Sequence, residues 1–328
     1  MTVAAVVIGR NEGARLGRCL ASVRPQVGRL IYVDSGSGDD SVVVARGLGA
    51  EVVELDSATP FTAARARNAG FAALEASGEM PEYVQFVDGD CIVDEGWIAL
   101  AVDELVQQPD VAIVTGWRRE ENPGASVYNA MLEVEWHRPA GEIRSCGGDM
   151  MVRSEAFARV GGFDARVIAS EDEEFCLRVR KGGQRVLRLA QQMTSHDAAM
   201  VRFSQWWRRS VRSGHGFAQV GLRHRDHFAA ERRRVWVFGL VLPMAALVGA
   251  AVSPWLLVPV LAAYGVSYRR TVKGLMREGL GRGAAAHQGL FLVLSKFPNL
   301  IGLVTYYIRH IRGAPMRIIE YKAVKDKA

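Results

Sequence analysis

Two carboxylates in this sequence are spaced to hold a metal ion against a phosphorylated substrate. Asp88 and Asp90 flank Gly89, directly after the apolar run at 83–87. Carboxylates so placed at the end of a strand can hold one hard cation that bridges two phosphates. The alternative is an ordinary acidic turn, because Asp and Gly are favoured turn residues. The apolar runs on both sides of the triplet favour the metal site.

A second acidic group, residues 171–174, precedes a stretch with helical periodicity. One of these carboxylates could accept the proton of an acceptor hydroxyl as a general base. Helix capping competes with this interpretation, because Ser170 and Glu173 have capping-box spacing and acids in a first turn complement the helix dipole. Taken alone, the spacing favours capping over catalysis.

Further ligands and cations follow along the chain. His196 comes after a strand-like run and could offer a neutral imidazole to the same metal, although a lone histidine is usually a surface or core residue. Trp206 could present an aromatic face to a sugar, and Arg208, Arg209 and Arg212 could present guanidinium forks to phosphate. Anchoring at a membrane interface explains the tryptophan and the arginines nearly as well.

The first half of the chain predicts the scaffold that these residues need. Short apolar runs alternate with helical patterns, which is typical of strand-helix-strand units and a mainly parallel sheet. Ligands collect at the carboxyl ends of strands in such sheets, so the loops after Ile8, Val33 and Val87 should share one rim. We predict strands at 3–8, 30–33, 51–55, 83–87, 112–115, 150–152 and 185–189, and helices at 42–48, 62–77, 127–137 and 172–181.

The second half predicts association with a membrane. No charged residue occurs from 235 to 268. One straight helix of that length would span about 50 Å, well beyond the roughly 30 Å of a hydrocarbon core. Ser253 and Pro254 lie near the middle and predict a break, either into two shorter helices that form a hairpin or into one spanning helix and a tilted piece. A buried helical subdomain is the alternative.

The flanks of this stretch support the same interpretation. Nine arginines lie between residues 202 and 234, a placement that favours a membrane surface over nucleic acid. A second apolar stretch, 289–308, is interrupted by Lys296 and Pro298 and predicts an interfacial helix. Basic residues on both sides of the apolar region predict that both ends face the cytoplasm.

Composition narrows the class of protein. The content of 49% apolar and 23% charged residues excludes a disordered chain and a polytopic transporter. The net charge of +6 is compatible with nucleic acid, anionic lipid or a phosphate-bearing substrate, but no nucleic-acid recognition motif occurs. Four cysteines without pair spacing and no cleavable leader predict a reducing, cytoplasmic compartment.

Six motifs in a fixed order resemble the family 2 glycosyltransferases of GT-A fold, and the resemblance covers residues 1–215. Gly9 and Arg10 stand where the first strand of that family often ends in Pro and an aromatic residue. The motifs are Val6-Val7-Ile8 leading to Asn11-Glu12, Val33-Asp34-Ser35-Gly36-Ser37 with Asp39 and Ser41, Ala66-Arg67-Asn68-Ala69-Gly70, Asp88-Gly89-Asp90, Val160-Gly161-Gly162-Phe163-Asp164, and Glu171-Asp172.

The resemblance implies an α/β fold, with a Rossmann-like, mainly parallel sheet in the catalytic domain and a C-terminal helical membrane-associated segment. It implies an inverting transfer from a UDP- or GDP-linked nucleotide sugar with Mn²⁺ or Mg²⁺, and Asp172 as the catalytic base. Asp90 and His196 match metal ligands. Donor contacts are implied for Glu12, Asp34, Arg67, Asp88 and Arg212. Further candidates for acceptor or phosphate contacts are Glu171, Trp206, Arg208 and Arg209.

We therefore expect a glycosyltransferase domain at 1–215, a basic juxtamembrane linker at 216–234, hydrophobic membrane-associated helices at 235–313 and a basic tail at 314–328. The expected acceptor is a hydroxyl of a lipid-linked glycan or glycolipid in cell-surface polysaccharide synthesis, at the cytoplasmic face of the plasma membrane. A nucleotidyltransferase acting on a sugar phosphate and a catalytically inactive membrane-bound scaffold are the alternatives. Intact Asp90 and Asp172 argue against the scaffold.

Overall fold

The computed structural model of this chain describes residues 2–316 and residue 319. The remainder of the predicted basic tail, residues 317, 318 and 320–328, lies outside that range. The chain divides into two compact units. The first, called the sheet unit, comprises Met1–Pro123 and Leu132–Ala199, and the second, called the helical unit, comprises Gly124–Met131 and Met200–Ala328. The boundary at residue 199 precedes residue 215, where sequence analysis ended the catalytic domain.

The sheet unit contains nine strands within the described residues. They are β1 Val3–Gly9, β2 Arg29–Asp34, β3 Glu51–Glu54, β4 Tyr83–Asp88, β5 Cys91–Val93, β6 Val111–Glu120, β7 Gly141–Glu142, β8 Met150–Arg153 and β9 Arg185–His196. The helices that accompany them are α1 Ala14–Val23, α2 Ser41–Gly47, α3 Ala63–Ala76, α4 Trp97–Gln107, α6 Ser154–Arg159 and α7 Glu171–Lys181. A further helix, α5 Val127–Trp136, belongs to this unit from Leu132 onward.

The strands form one sheet in the order β3-β2-β1-β4-β8-β6-β9-β5, with β7 beside β9. The strands β1 to β4 are parallel, as predicted. Antiparallel pairs enter where β8 lies between β4 and β6, and where β5 lies beside β9. The parallel half therefore supplies the strand ends of the predicted rim, while the mixed half brings β5, β6 and β9 together.

Apolar layers cover both faces of the sheet, which explains why β1 reads as an unbroken apolar run. Leu16 and Leu20 of α1 pack on one face together with Trp97 of α4. Phe71 of α3 and Phe175 of α7 pack on the other face. Thr62 caps α3, its hydroxyl accepting the N–H of Arg65 at 3.0 Å.

The strands β6 and β9 are longer than predicted. Their predicted ends were residues 115 and 189, whereas they continue to Glu120 and His196. Polar and charged side chains fill these extensions, and the β6–β9 register shifts between Thr115 and Arg118. This polar end was not recognised as strand because its side chains pair with one another inside the unit rather than with an apolar core.

The helical unit consists of α8 Phe203–Arg223, α9 Ala229–Trp236, α10 Leu242–Val252, α11 Leu257–Arg277, α12 Arg282–Leu294 and α13 Lys296–Ile311. The predicted break is present, because α10 ends at Val252 and α11 begins after Pro254. The helices α8 and α13 pack closely through glycines. A Cβ on Gly214 would lie 1.9 Å from the carbonyl oxygen of Asn299, and one on Gly302 would lie 1.9 Å from that of Val211.

Two helical segments, Ala229–Val252 and Arg282–Ile311, are long and apolar enough to cross a membrane by length and composition. Only 17% of the most apolar window in the first is buried. Leu247, Val252 and Trp255 are 67%, 75% and 81% exposed. An apolar surface of this kind is uncommon on soluble monomers and marks contact with a membrane or a partner.

Candidate active site

The three predicted loops meet at one rim of the sheet. In the sheet register Ile8 lies beside Val33 of β2 and Asp88 of β4. The N–H of Ser35 donates to the carbonyl of Gly9 at 3.0 Å, and that of Gly89 donates to the carbonyl of Ile8 at 2.8 Å. The prediction that these strand ends share one edge is confirmed.

Arg67 joins this rim to the start of α7. Its guanidinium is buried, with Nη2 donating to Oδ1 of Asp88 at 2.8 Å and Nη1 donating to Oε1 of Glu171 at 2.9 Å. A buried arginine is tolerated only when it is paired, and two carboxylates supply that pairing here. Arg67 thus holds the Asp88-Gly89-Asp90 turn and the Glu171-Asp172 turn together.

The backbone at Gly148 makes room for this guanidinium. A Cβ at that position would lie 1.9 Å from Nη2 of Arg67, whereas one at Gly147 would meet nothing within 4 Å. Because residue 148 has no side chain, the backbone of the loop before β8 can lie directly against the Arg67 guanidinium.

A second ion pair, missed by the sequence analysis, lies behind Asp88. Arg118 of β6 donates to Asp149 and lies 3.4 Å from Oδ2 of Asp88. Asp149 also accepts the N–H of Asp88 at 2.8 Å and the hydroxyl of Thr194 at 3.1 Å. Asp149 stands alone between glycines and methionines in the sequence, so no spacing signal links it to Arg118.

The structure brings the predicted metal ligands Asp90 and His196 side by side. Oδ2 of Asp90 lies 3.1 Å from Nε2 of His196, and both side chains are buried. Adjacent ligands about 2.1 Å from one cation are separated by about this distance, so the pair fits a small divalent ion. Burial lowers the pKa of His196, but the carboxylates of Asp90 and Glu120 outweigh that effect and raise it above its ordinary value.

Cys91 is the third group of this cluster. Burial raises the pKa of its thiol well above the ordinary value. A protonated thiol is a poor ligand for a hard cation, because the thiolate is the ligand form. Oxygen and imidazole donors are therefore the ones suited to Mn²⁺ or Mg²⁺ here.

Glu120 and Trp136 surround the histidine, and the sequence analysis identified neither. Oε2 of Glu120 lies 3.9 Å from Nδ1 of His196. The Trp136 ring packs edge-on against the imidazole, with centroids 5.0 Å apart and an interplanar angle of 89°. The guanidinium of Arg118 lies 5.2 Å above the Trp136 ring.

Asp172, the predicted catalytic base, lies at the start of α7. Its side chain is half-buried, and Oδ1 accepts the N–H of Glu173 at 2.9 Å. Burial and the neighbouring Glu171 carboxylate raise the pKa of Asp172 to about 7. A base with a pKa near the operating pH suits proton transfer from a hydroxyl.

The capping box considered for this turn does not form. Ser170 lies at φ 60° and its side chain makes no capping hydrogen bond. A serine in the left-handed region is uncommon, and such conformations concentrate at functional sites. The acidic residues 171–174 still lie in the first turn of α7, where they complement the helix dipole.

Asp34 and Glu12, predicted donor contacts, lie at the same rim. Asp34 is 3% exposed, and its carboxylate accepts the N–H groups of Gly36 and Ser37 at 2.9 and 2.8 Å and the hydroxyl of Tyr32 at 2.9 Å. It thus fixes the turn after β2. Glu12 pairs with Arg15 at 2.9 Å.

The remaining candidates belong to the helical unit. Trp206, Arg208, Arg209 and Arg212 all lie on α8. Trp206 is 4% exposed and packs among the rings of Tyr128, Phe203 and Phe291. Packing within the helical unit accounts for Trp206, and the predicted roles of the three arginines stay predictions.

A cleft of about 690 Å³ opens beside Glu120 in the sheet unit. It has a carboxylate-rich wall, and it is large enough for a sugar residue. Its lining residues are Ile92, Asp94, Arg119, Glu120, Glu121, Pro123, Glu133 and Ser195.

Comparison with known proteins gives a family match within the first half of the chain. Residues 4–158 match the sequence profile of the family described as "Glycosyl transferase family 2". A TPR repeat-containing protein of Synechococcus elongatus is 34% identical over 138 residues, 42% of this chain and 32% of that protein. The pre-mycofactocin glycosyltransferase of Mycobacterium tuberculosis is 28% identical over 246 residues, 69% of this chain and 49% of that protein. The chain thus spans between about a third and a half of the length of these relatives.

One solved structure extends the likeness beyond the matched residues. The mannosyltransferase PcManGT of Pyrobaculum calidifontis, solved in complex with GDP-Man and Mn²⁺, superposes with a TM-score of 0.57 at 18% identity. The match covers 94% of this chain and 86% of that one. At this level of identity the likeness establishes the fold.

Proposed function

Because residues 4–158 belong to glycosyltransferase family 2, we propose that this chain is an inverting glycosyltransferase of GT-A fold. It moves a sugar from a UDP- or GDP-linked donor to a hydroxyl group. One observation carries the proposal. Arg67 pairs with both Asp88 and Glu171, and so links the turn that contains the proposed metal ligand Asp90 to the turn that contains Asp172. A nucleotidyltransferase has no comparable use for a carboxylate with a pKa near 7.

Asp172 performs the proton transfer in this proposal. Its carboxylate takes the proton of the acceptor hydroxyl while the acceptor oxygen attacks the anomeric carbon. The bond from that carbon to the nucleoside diphosphate breaks on the opposite side, so the configuration inverts. Glu171 is held by Arg67, and its negative charge keeps Asp172 basic.

Asp90 and His196 would hold the divalent cation. The carboxylate oxygen of Asp90 and Nε2 of His196 lie 3.1 Å apart, a separation that suits two ligands of one ion. When bound, such an ion neutralises charge that develops on the leaving diphosphate. PcManGT was solved with Mn²⁺ and GDP-Man, which supports the same class of ion and donor for this chain.

The acceptor in this proposal is a lipid-linked glycan or a glycolipid at the cytoplasmic face of the plasma membrane. Three observations support it. The segments Ala229–Val252 and Arg282–Ile311 could each span a bilayer, and the first leaves large apolar side chains exposed. Basic residues adjoin the apolar region, as expected beside an anionic cytoplasmic leaflet. The cleft beside Glu120 offers space for the acceptor sugar.

The proposal is tested by release of nucleoside diphosphate from the detergent-solubilised chain. A panel of UDP- and GDP-sugars is offered with Mn²⁺ or Mg²⁺ and then with chelator, in the presence of membrane lipid extract as acceptor. We expect release from one donor that stops with chelator. A folded chain that releases no diphosphate from any donor of the panel would contradict the transferase assignment.

A further inference from the structure

The imidazole of His196 has two nitrogens, and the proposed metal site uses only one. Nε2 faces Oδ2 of Asp90 at 3.1 Å. Nδ1 is buried and has no hydrogen-bond partner among residues 2–316. A buried polar group left without a partner costs about 1–3 kcal/mol, so this nitrogen requires an explanation.

Glu120 provides the nearest candidate partner. Its Oε2 lies 3.9 Å from Nδ1, and its side chain is fully buried. The pairing of β6 with β9 sets Glu120 opposite His196, which puts both side chains on one face of neighbouring strands.

The Glu120 carboxylate is itself held in place. Oε2 accepts the N–H of Ala198 at 3.1 Å, and Oε1 accepts the N–H of Asn122 at 3.2 Å. On the other side, the Trp136 ring limits rotation of the imidazole by its edge-on contact. The negative charge therefore stays beside Nδ1, and the ring has little freedom to turn Nε2 away from Asp90.

We propose that Glu120 is a positioning residue of the metal site, whose carboxylate selects the Nδ1–H form of His196 and leaves the Nε2 lone pair for the cation. The inference rests on the metal dependence in the proposed function. A histidine that binds a metal usually donates its other N–H to a carboxylate, carbonyl or water, which fixes the ring and its tautomer. The 3.9 Å separation exceeds an N–H···O bond of about 2.9 Å, so Glu120 faces Nδ1 as a nearby charge rather than through a direct hydrogen bond in this structure.

Mn²⁺ binding to the full chain, measured by the EPR signal of free Mn²⁺, tests this without any turnover. We expect Glu120→Gln to raise the Kd for Mn²⁺ by about 10-fold to 100-fold, the usual effect of losing such an outer partner. Glu142→Gln is the control, because that exposed carboxylate pairs with Arg185 at 2.9 Å and is not among the residues that line the cleft. The control should bind Mn²⁺ within about twofold of the wild type, which is the scatter expected for a surface charge.

A double-mutant cycle separates positioning from a general effect on the fold. If Glu120 acts through the imidazole, Glu120→Gln should change the Kd by no more than about twofold in a His196→Ala background. An equal loss in both backgrounds would contradict the inference, as would a Kd for Glu120→Gln equal to that of wild type. Thermal unfolding without metal shows which variants are folded.

Pulsed EPR on the wild-type chain needs no variant. Mn²⁺ should show a coupling to directly bound nitrogen that changes when the histidines carry ¹⁵N. Absence of that coupling would overturn the inference. Metal-free sugar transfer by the wild type would also overturn it, yet would leave the transferase proposal standing.

Discussion

At the scale of single residues, two adjacent carboxylates have different environments. Glu171 is buried, and its carboxylate accepts a hydrogen bond from the Arg67 guanidinium at 2.9 Å. Asp172 is half-buried, and its pKa is raised to about 7 by burial and by the Glu171 charge. The direct pairing with Arg67 suits Glu171 to a structural role, whereas the raised pKa of Asp172 suits it to proton transfer.

The rate of transfer should therefore depend on pH through Asp172. As pH rises from 5.5 to 8.5, Asp172 loses its proton and kcat should increase, with a midpoint near 7. Initial rates at saturating donor and acceptor across this range measure the effect. A flat profile would show that Asp172 is not the group whose ionisation limits the reaction.

The same raised pKa predicts a stability effect of known sign. Between the unfolded pKa near 3.9 and the folded value of about 7, the folded state binds more protons than the unfolded state. The stability contribution of Asp172 therefore falls as pH rises through this window, and the penalty is complete above pH 7. Asp172→Asn should raise Tm at pH 8, by about 2–4 °C for each kcal/mol of penalty removed.

Thermal unfolding at pH 8 and pH 4 measures this difference. The increase in Tm should disappear at pH 4, where Asp172 is protonated in the folded state. Glu173→Gln is the control for removal of a charge in the same turn. An increase of equal size at both pH values would contradict the raised pKa.

At the scale of elements, the sequence predicted those strands and helices in which a continuous run of residues, or one face of the element, is apolar. The parallel strands β1 to β4 and the rim after Ile8 and Val33 follow from such runs. The break at Ser253 followed from the backbone chemistry of proline.

The ends of β6 and β9 could not be predicted in the same way. Arg118, Glu120 and His196 alternate with other polar residues, a pattern that resembles a loop when read along the chain. Their partners come from other segments, such as Asp149 after the loop at 145–148. Ion pairs between distant segments leave no periodic pattern in the sequence. The part of the candidate site around Arg118, Glu120 and Asp149 could therefore be recognised only from the structure.

The loop before β8 offers a test of how tightly Arg67 is enclosed. Gly148→Ala should destabilise the sheet unit, because its Cβ would lie 1.9 Å from Nη2 of Arg67. We expect a cost of about 1–3 kcal/mol, typical of overpacking, and a fall in transfer rate as Arg67 shifts. Chemical denaturation and initial rates measure both effects.

Gly147→Ala is the matched control, since a Cβ there meets nothing within 4 Å. It should leave stability within about 0.5 kcal/mol of wild type, the usual range for open sites. Equal effects of the two substitutions would show that the loop, rather than the contact with Arg67, is sensitive.

At the scale of the whole molecule, composition and exposure predict a chain held at a membrane. The helical unit exposes Leu247 and Trp255, whereas the sheet unit has apolar layers on both faces of its sheet. Leu247→Glu combined with Trp255→Glu should reduce binding to phosphatidylglycerol vesicles at least tenfold. Placing a carboxylate in the hydrocarbon region costs about 2.5–3.5 kcal/mol.

Vesicle flotation of the purified chain measures the bound fraction. Val43→Glu is the control, because Val43 is 69% exposed and lies on α2 of the sheet unit. Unchanged flotation of the double variant would contradict membrane contact through this surface.

Asp172 acts as the base of an inverting transfer in this proposal, and turnover by Asp172→Asn, measured beside that of Glu173→Gln, tests this role. We expect the Asp172 variant to bind the donor with unchanged Kd while kcat falls by about 10²-fold to 10⁴-fold, the range for loss of a general base. The Glu173→Gln control should keep a kcat close to that of the wild type. NMR of the wild-type product should show the inverted anomeric configuration. Retained kcat in Asp172→Asn, or a product of retained configuration, would contradict the account.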